Sequence, residues 1–367
     1  MDLIATPEQE ALRDVAADIA AELMPGHKFT EILDDPAGPQ SVPLMWSRII
    51  QLGLVGLSVP EQFGGAGVGL VEETILFEEL GASLLPAPAF STIALCLPLL
   101  TASGDAADLV PDVIEGSRRY ALAAAEASSL SLLAGGYLAG EVRVDGPVGA
   151  PRLTGRRSWV LDAVGADGFL VPAVTPDGPA VYLVEAGPAA AVRDLPAVDA
   201  SRPVSEVEFS ASPAQLVLGP DRAAGALDAM SRTGAVLASA EAVGISRRVL
   251  TTTASYAATR TQFGRPIGAY QAVSHQLADT YVDVELARSL LLWAALDPVE
   301  TAVLAAASRI LPSAVRACER AIQLHGGIGM TWEAPVHRYY KRALLLHALL
   351  PRPDRLREAL ARTLLDD

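Results

Sequence analysis

The stretch "RTQFGRPIGAYQAV", residues 260–273, carries polar groups where its surroundings call for none. The flanking sequence is Ala-rich, apolar and helix-like. Yet Arg260, Gln262, Arg265 and Gln271 come close together, with Gly264, Pro266 and Gly268 between them. A guanidinium at a helix end can grip a phosphate bidentately. Phe263 offers an aromatic face. Gln271, in the first turn of the next predicted helix, can donate and accept at once, as recognition of a nucleotide edge requires. A second break, "AIQLHGGIGMTWE", puts Gly326 and Gly327 after a helix and Gln323 one turn before them. There, backbone N–H groups can approach a ligand with no Cβ in the way. Each feature alone has a plainer explanation. Gly-Gly closes a helix, and an arginine at a helix end complements the dipole. Together they describe a grip on a polyanionic cofactor.

The elements that must position these groups can be read from texture. Residues 1–120 read as helices with loops. Thr6 is a predicted N-cap with Pro7 first in the helix, and Leu12, Val15, Ile19 and Leu23 form its apolar stripe. The runs "PLMWSRIIQLGLVGLSV" and "GLVEETILFEELGASLL" flank "PEQFGGAGVG". That glycine-rich stretch lacks the preceding strand and the Lys-Ser/Thr of a phosphate loop, so it reads as a turn needing positive φ at several sites. Residues 121–218 break into short β-rich pieces separated by Gly, Pro and Asp, which predicts an antiparallel β-domain. From 219 to 367 helix returns, interrupted at 263–268, Pro298, Gly326–Gly327 and Pro335. Four helices on short loops predict an antiparallel bundle. The fold class is thus α+β, in the order helical, β, helical.

Composition narrows the function. The chain has 367 residues and a net charge of −15, which argues against nucleic acid as a partner. Two cysteines, Cys96 and Cys318, and five scattered histidines offer neither a disulfide framework nor metal-ligand spacing. Acidic groups interrupt the N-terminus, so it is no signal peptide, and no run of eighteen apolar residues occurs. A cytoplasmic protein with no membrane partner is expected.

"YAATRTQFGRPIGAYQAVSHQLAD" followed by "QLHGGIGMTWEAPVHRYYKRA" resembles the C-terminal domain of the flavin-dependent acyl-CoA dehydrogenases. "GLVGLSVPEQFGGAGVGLVEETILFEELG" is similar to that family's N-terminal helical domain, and "LPAVDASRPVSEVEF" to the end of its β-domain. The resemblance covers nearly the whole chain. It implies FAD as cofactor and an acyl-CoA thioester as substrate, oxidised to the 2,3-enoyl-CoA, with electron-transfer flavoprotein as acceptor. It also implies that Arg260, Gln262, Phe263, Gln271, Gln323, Gly326 and Gly327 hold the adenosine and pyrophosphate of a neighbouring subunit's FAD. The resemblance therefore implies an oligomer, a dimer of dimers.

The same resemblance marks departures. The family's glutamate base falls, by counting, on Leu350, and in a minority of members near Gly234. Neither position is acidic here. The family's "Thr-Glu-Pro-x-x-Gly-Ser-Asp" is reduced to Glu126 and Ser128, and its "Trp-Ile-Thr" to "SWVLD", which keeps Trp159 but loses the hydroxyl. Glu241, alone in an apolar helix, is a candidate base, or a buried acid paired to an arginine such as Arg288 or Arg316. Two turns separate it from Gly234, about 11 Å. Glu333 reads as helix-dipole chemistry and "RPDRLREALAR" as a solvated helix face. Three functions follow: a base-less subunit of a hetero-oligomeric acyl-CoA dehydrogenase, heterotetrameric with a homologous partner; a self-sufficient flavoenzyme using Glu241; or a scaffold that kept the fold without the chemistry.

Overall fold

The structure is a computed structural model that describes residues 5–25, 42–104, 106–124, 142–147 and 149–365. Glu126 and Ser128 lie outside the described residues. Helix α1 (Pro7–Leu23) starts on a capping box in which Thr6 and Gln9 satisfy each other's backbone N–H groups. Its inner face is Ala16, Ile19 and Ala20, with Leu12 and Leu23 partly buried. Val15, expected on that stripe, is 43% exposed. Helix α2 (Val42–Gln51) leads into the glycine-rich turn, where Gly64 and Gly67 adopt φ of 86° and 64°. The turn closes on itself through Ala66 N–H to Gly56 O and Val68 N–H to Leu57 O.

Helix α3 (Leu70–Ser83) is buried continuously from Glu73 to Gly81. Short elements follow: a π-helical segment (Phe90–Cys96), α4 (Leu97–Ala102) and α5 (Val110–Ile114).

Among the described residues eight strands come next: β1 (Tyr120–Leu122), β2 (Arg143–Asp145), β3 (Arg152–Leu161), β4 (Gly168–Thr175), β5 (Gly178–Glu185), β6 (Ala190–Leu195), β7 (Val204–Pro213) and β8 (Gln215–Leu218). They form two four-stranded sheets, ordered β1-β4-β5-β8 and β2-β3-β7-β6. Phe169 and Phe209 meet edge-on between them, centroids 6.2 Å apart. The expected antiparallel pairing holds except at one edge, where β1 runs parallel to β4. The chain enters the sheet there from the helical third rather than from a hairpin, so nothing forces it to turn back.

Helix α6 (Pro220–Thr259) has 40 residues, about 60 Å of rod. A small hairpin, β9 (Thr261–Gln262) with β10 (Arg265–Pro266), leads to α7 (Gln271–Leu296). Helices α8 (Glu300–His325), α9 (Val336–Ala348) and α10 (Pro353–Leu365) complete the region. Five helices stand where four were expected. The fifth, α10, is the charged terminal segment, docked on α8 with Leu356 buried.

Helices α3 and α6 cross with backbone against backbone. A Cβ added at Gly81 would lie 2.2 Å from Glu241 O, and one at Gly244 would lie 1.8 Å from Glu78 O. The Tyr339 hydroxyl on α9 donates to Ala82 O at 2.9 Å, fastening the same joint from the other side.

Candidate functional site

Arg260 caps the C-terminus of α6, its N–H on Tyr256 O at 2.8 Å. The chain then turns within two residues. Phe263 and Gly264 both have positive φ, 52° and 81°, as a two-residue hairpin turn of this hand requires. For glycine that conformation is free. For a phenylalanine it is strained. Phe263 is also 93% exposed, so no packing within the chain compensates the strain. The hairpin is closed by Ile267 N–H to Arg260 O at 2.8 Å. Tyr270, directly before α7, donates its hydroxyl to Gln262 O at 3.2 Å and lies under the Arg265 guanidinium, 3.9 Å from its ring centroid. Gln262 folds its amide onto Thr261 O.

The second break lies at the same end of the bundle. Helices α6, α7 and α8 run up, down and up, so α6 and α8 finish together. Tyr256, one turn before Arg260, stacks on His325, the last residue of α8, at 4.4 Å and 16° between planes. His325 Nδ1 is held 2.8 Å from Ala321 O, which fixes the ring for that stack. Arg260, Gln262, Phe263, Gln271, Gln323, Gly326 and Gly327 are thereby brought to one end of the bundle, all exposed. Among the described residues, the side chains of Arg260, Gln271 and Gln323 have no hydrogen-bond or ion-pair partner.

The two glycines differ. Gly326 needs its glycine, at φ 66°. Gly327 does not: its φ is not positive, and an added Cβ would meet nothing within 4 Å. Among the described residues, nothing asks for a missing side chain there. One guanidinium, three amides, an aromatic face and open main chain fit the diphosphate and base of a dinucleotide. Of the other sequence features, Trp332 is packed by Arg338 and Lys341 over its ring, at 5.2 and 4.8 Å. Glu333 sits exposed before α9, held below the usual carboxylate range by the Thr331 hydroxyl and its own backbone N–H.

The places expected to hold a base contrast with this. Gly234 is buried mid-way along α6, and Leu350 is 5% exposed in the main core. Glu241 is 1% exposed and ion-paired, though not with Arg288 or Arg316. Arg202, in the loop before β7, reaches it at 3.0 and 3.1 Å, and Arg342 of α9 donates to its Oε1. Arg342 also binds Asp199 and Ser201. Burial works against the Arg342 charge, but Asp199 and Glu241 outweigh it and the guanidinium ends above its ordinary value. These partners come from a loop and a helix far away in the chain, so helix periodicity gave no signal of them.

Trp159 sits in β3 at a register shift between Arg157 and Val160, with φ 59°, partly buried against the main core. A bulge of this kind re-aims a side chain. Three residues on, Asp162 accepts from the Ser91 hydroxyl at 2.8 Å. Burial pushes the Asp162 carboxyl up, against Arg202, Ser91, Arg119 and Arg342, which pull it down. Burial likewise raises both thiols, leaving Cys96 and Cys318 as inert core groups. No cluster of metal ligands occurs among the described residues, and no helix among them is long and apolar enough to cross a membrane.

Known proteins share this architecture. Residues 6–108 match the model of the acyl-CoA dehydrogenase N-terminal domain, and 227–365 that of the C-terminal domain. Acyl-CoA dehydrogenase FadE27 of Mycobacterium tuberculosis is 34% identical over 327 residues, 82% of each chain. Acyl-CoA dehydrogenase IpdE2 of the same organism is 30% identical over 357 residues, 97% of this chain and 96% of its own. A chain of the solved ChsE4–ChsE5 complex from M. tuberculosis superposes over 100% of both chains with a TM-score of 0.89 and 29% identity. With its helical, β and helical regions in this order and both breaks at one end of the bundle, the chain belongs to the acyl-CoA dehydrogenase family.

Proposed function

We propose that this chain is the base-less subunit of a hetero-oligomeric, FAD-dependent acyl-CoA dehydrogenase, and that its arm at 260–271 and 323–327 completes the flavin site of a homologous partner. One observation carries the reading: the arm is shaped and open, while both base positions, Gly234 and Leu350, are closed and carry no carboxylate. The ChsE4–ChsE5 complex, named for two different chains, supports the hetero-oligomer; its arrangement as a dimer of dimers is part of the proposal. Glu241 is spoken for, since both its oxygens accept hydrogen bonds from buried arginines.

Arg260 would hold the diphosphate by charge-assisted hydrogen bonds, with Gln271 and Gln323 on polar edges of the dinucleotide and Gly326–Gly327 admitting it to main chain. Phe263 would cover an apolar face. Bound there, FAD supplies the hydride acceptor for oxidation of an acyl-CoA to its 2,3-enoyl-CoA, with electron-transfer flavoprotein as onward acceptor. The partner's carboxylate takes the α-proton. The setting is lipid breakdown in the cytoplasm.

The test is to purify the chain alone and co-expressed with a homologous dehydrogenase subunit, and to record flavin absorbance. Little flavin alone and a yellow complex are expected. A chain that binds stoichiometric FAD and oxidises acyl-CoA by itself would falsify the proposal.

A further inference from the structure

The hairpin that carries the arm is too small to hold its own shape. It has two residue pairs, an exposed turn and a strained Phe263. Isolated hairpins far longer than this are marginal in water. What holds it is Tyr270, a half-buried side chain at its base. The Tyr270 ring carries the Arg265 guanidinium at 3.9 Å, and its hydroxyl ties down Gln262 O at 3.2 Å. Its N–H reaches Ile267 O at 3.1 Å, and its own carbonyl accepts from Val273 and Ser274, starting α7. One residue therefore fixes the first strand by hydrogen bond, the second by cation–π contact, and both to the rigid helix behind.

We propose that Tyr270 is the positioning residue of the arm, and that Arg265 serves as its counterpart clamp rather than as a ligand-binding cation. Tyr270 touches no cofactor. It keeps Arg260, Gln262 and Phe263 in the presented arrangement before a dinucleotide arrives, so that ordering is not charged against binding. The inference rests on the arm reading above, and the experiment separates the two.

In the chain alone, hydrogen exchange of the Ile267 amide reports hairpin closure. Tyr270→Ala and Arg265→Ala should both speed it, with the amides around Tyr256 unchanged. In the co-expressed complex, FAD dissociation is followed for wild type, Arg260→Ala, Tyr270→Phe, Tyr270→Ala and Arg265→Ala. Tyr270→Ala should loosen FAD about tenfold or more, and Tyr270→Phe, which loses one hydrogen bond and keeps the ring, by about two- to tenfold. Arg265→Ala combined with Tyr270→Ala should be no worse than Tyr270→Ala, because the pair acts as a unit. If Arg260→Ala releases flavin while Tyr270→Ala and Arg265→Ala retain it as wild type does, the positioning role is overturned and the arm reading stands. If Arg260→Ala itself retains flavin, the arm reading fails. Should Tyr270→Ala not fold, Tyr270→Phe and Arg265→Ala decide alone: wild-type retention in both overturns the proposal.

Discussion

Two parts of helix α6 treat polar groups in opposite ways. At its C-terminus Arg260, Gln271 and Gln323 stand exposed, their side chains without a partner among the described residues, around a hairpin held in shape from behind. Near its middle Glu241 is closed in with Arg202, Arg342, Asp199 and Ser201, each answering another. Charges that satisfy one another serve the fold. Charges displayed and left open, on a hairpin with a strained turn, are the ones we propose to serve a ligand outside it. A carboxylate in this molecule is therefore no evidence of a base, and a surface arginine is not mere decoration.

The comparison breaks most visibly at Arg342. Arg342→Met removes one member of a buried ionic cluster and leaves Glu241 and Asp199 short of a counter-charge. That should cost about 3–5 kcal/mol in thermal or denaturant unfolding. Glu241→Gln should also lower stability, yet turnover of the assembled complex should stay within a few-fold. A hundredfold loss, the scale of a true general base, would make Glu241 catalytic and the comparison false.

Next in size is Glu73, a buried acid that lacks such a cluster. It is 2% exposed on α3 and accepts from Ser58, just before the glycine-rich turn. Its neighbours Glu72, Glu78 and Glu79 are engaged by Gln9, Arg13 and Arg247. Burial pushes its carboxyl from 4.5 to about 7, against the Ser58 hydroxyl and N–H. The folded chain thus holds this proton more tightly than the unfolded one. Glu73 should make stability fall as pH rises from 4.5 through about 7, by about 3 kcal/mol in all. Glu73→Gln should flatten that slope in pH-resolved melting curves; an unchanged slope would remove the assignment.

Smaller effects sharpen the other side. Arg260→Ala should leave stability within about 0.5 kcal/mol, while FAD binding in the complex weakens by about 1.5–3 kcal/mol. Gly327→Ala is the most discriminating. With open space at its Cβ, alanine should hold or raise stability by up to about 1 kcal/mol in melting experiments. It should nonetheless loosen the flavin, because a methyl group now stands where the ligand approaches.

The sequence made the arm legible and left its support hidden. Residue types and spacing singled out Arg260, Gln271 and the two glycines as candidates, because a chemical demand shows in composition. Tyr270 and the Tyr256–His325 stack were invisible, since they act through geometry between helix ends. The helical, β, helical order was legible from texture, but the parallel β1–β4 edge was not, because pairing direction depends on where the chain arrives. Glu241 was legible as a buried acid, while its partners Arg202 and Arg342 were not: an ion pair formed across 39 or 101 residues leaves no periodic trace. Glu73 was missed altogether, lost among the acids of "VEETILFEE".

The crossing of α3 and α6 has a consequence for which changes the molecule can repair. In an ionic cluster a lost partner can be replaced, because another side chain can be enlarged, shortened or reversed in charge. At Gly81 and Gly244 the obstacle is a carbonyl oxygen of the facing helix, Glu241 O or Glu78 O. Every amino acid at the facing position carries that same oxygen. No substitution across the joint can make room, so an alanine at either site has no second-site suppressor at the contact itself. Only a shift of a whole helix would relieve it, and that shift would carry the arm at the far end of α6 out of place.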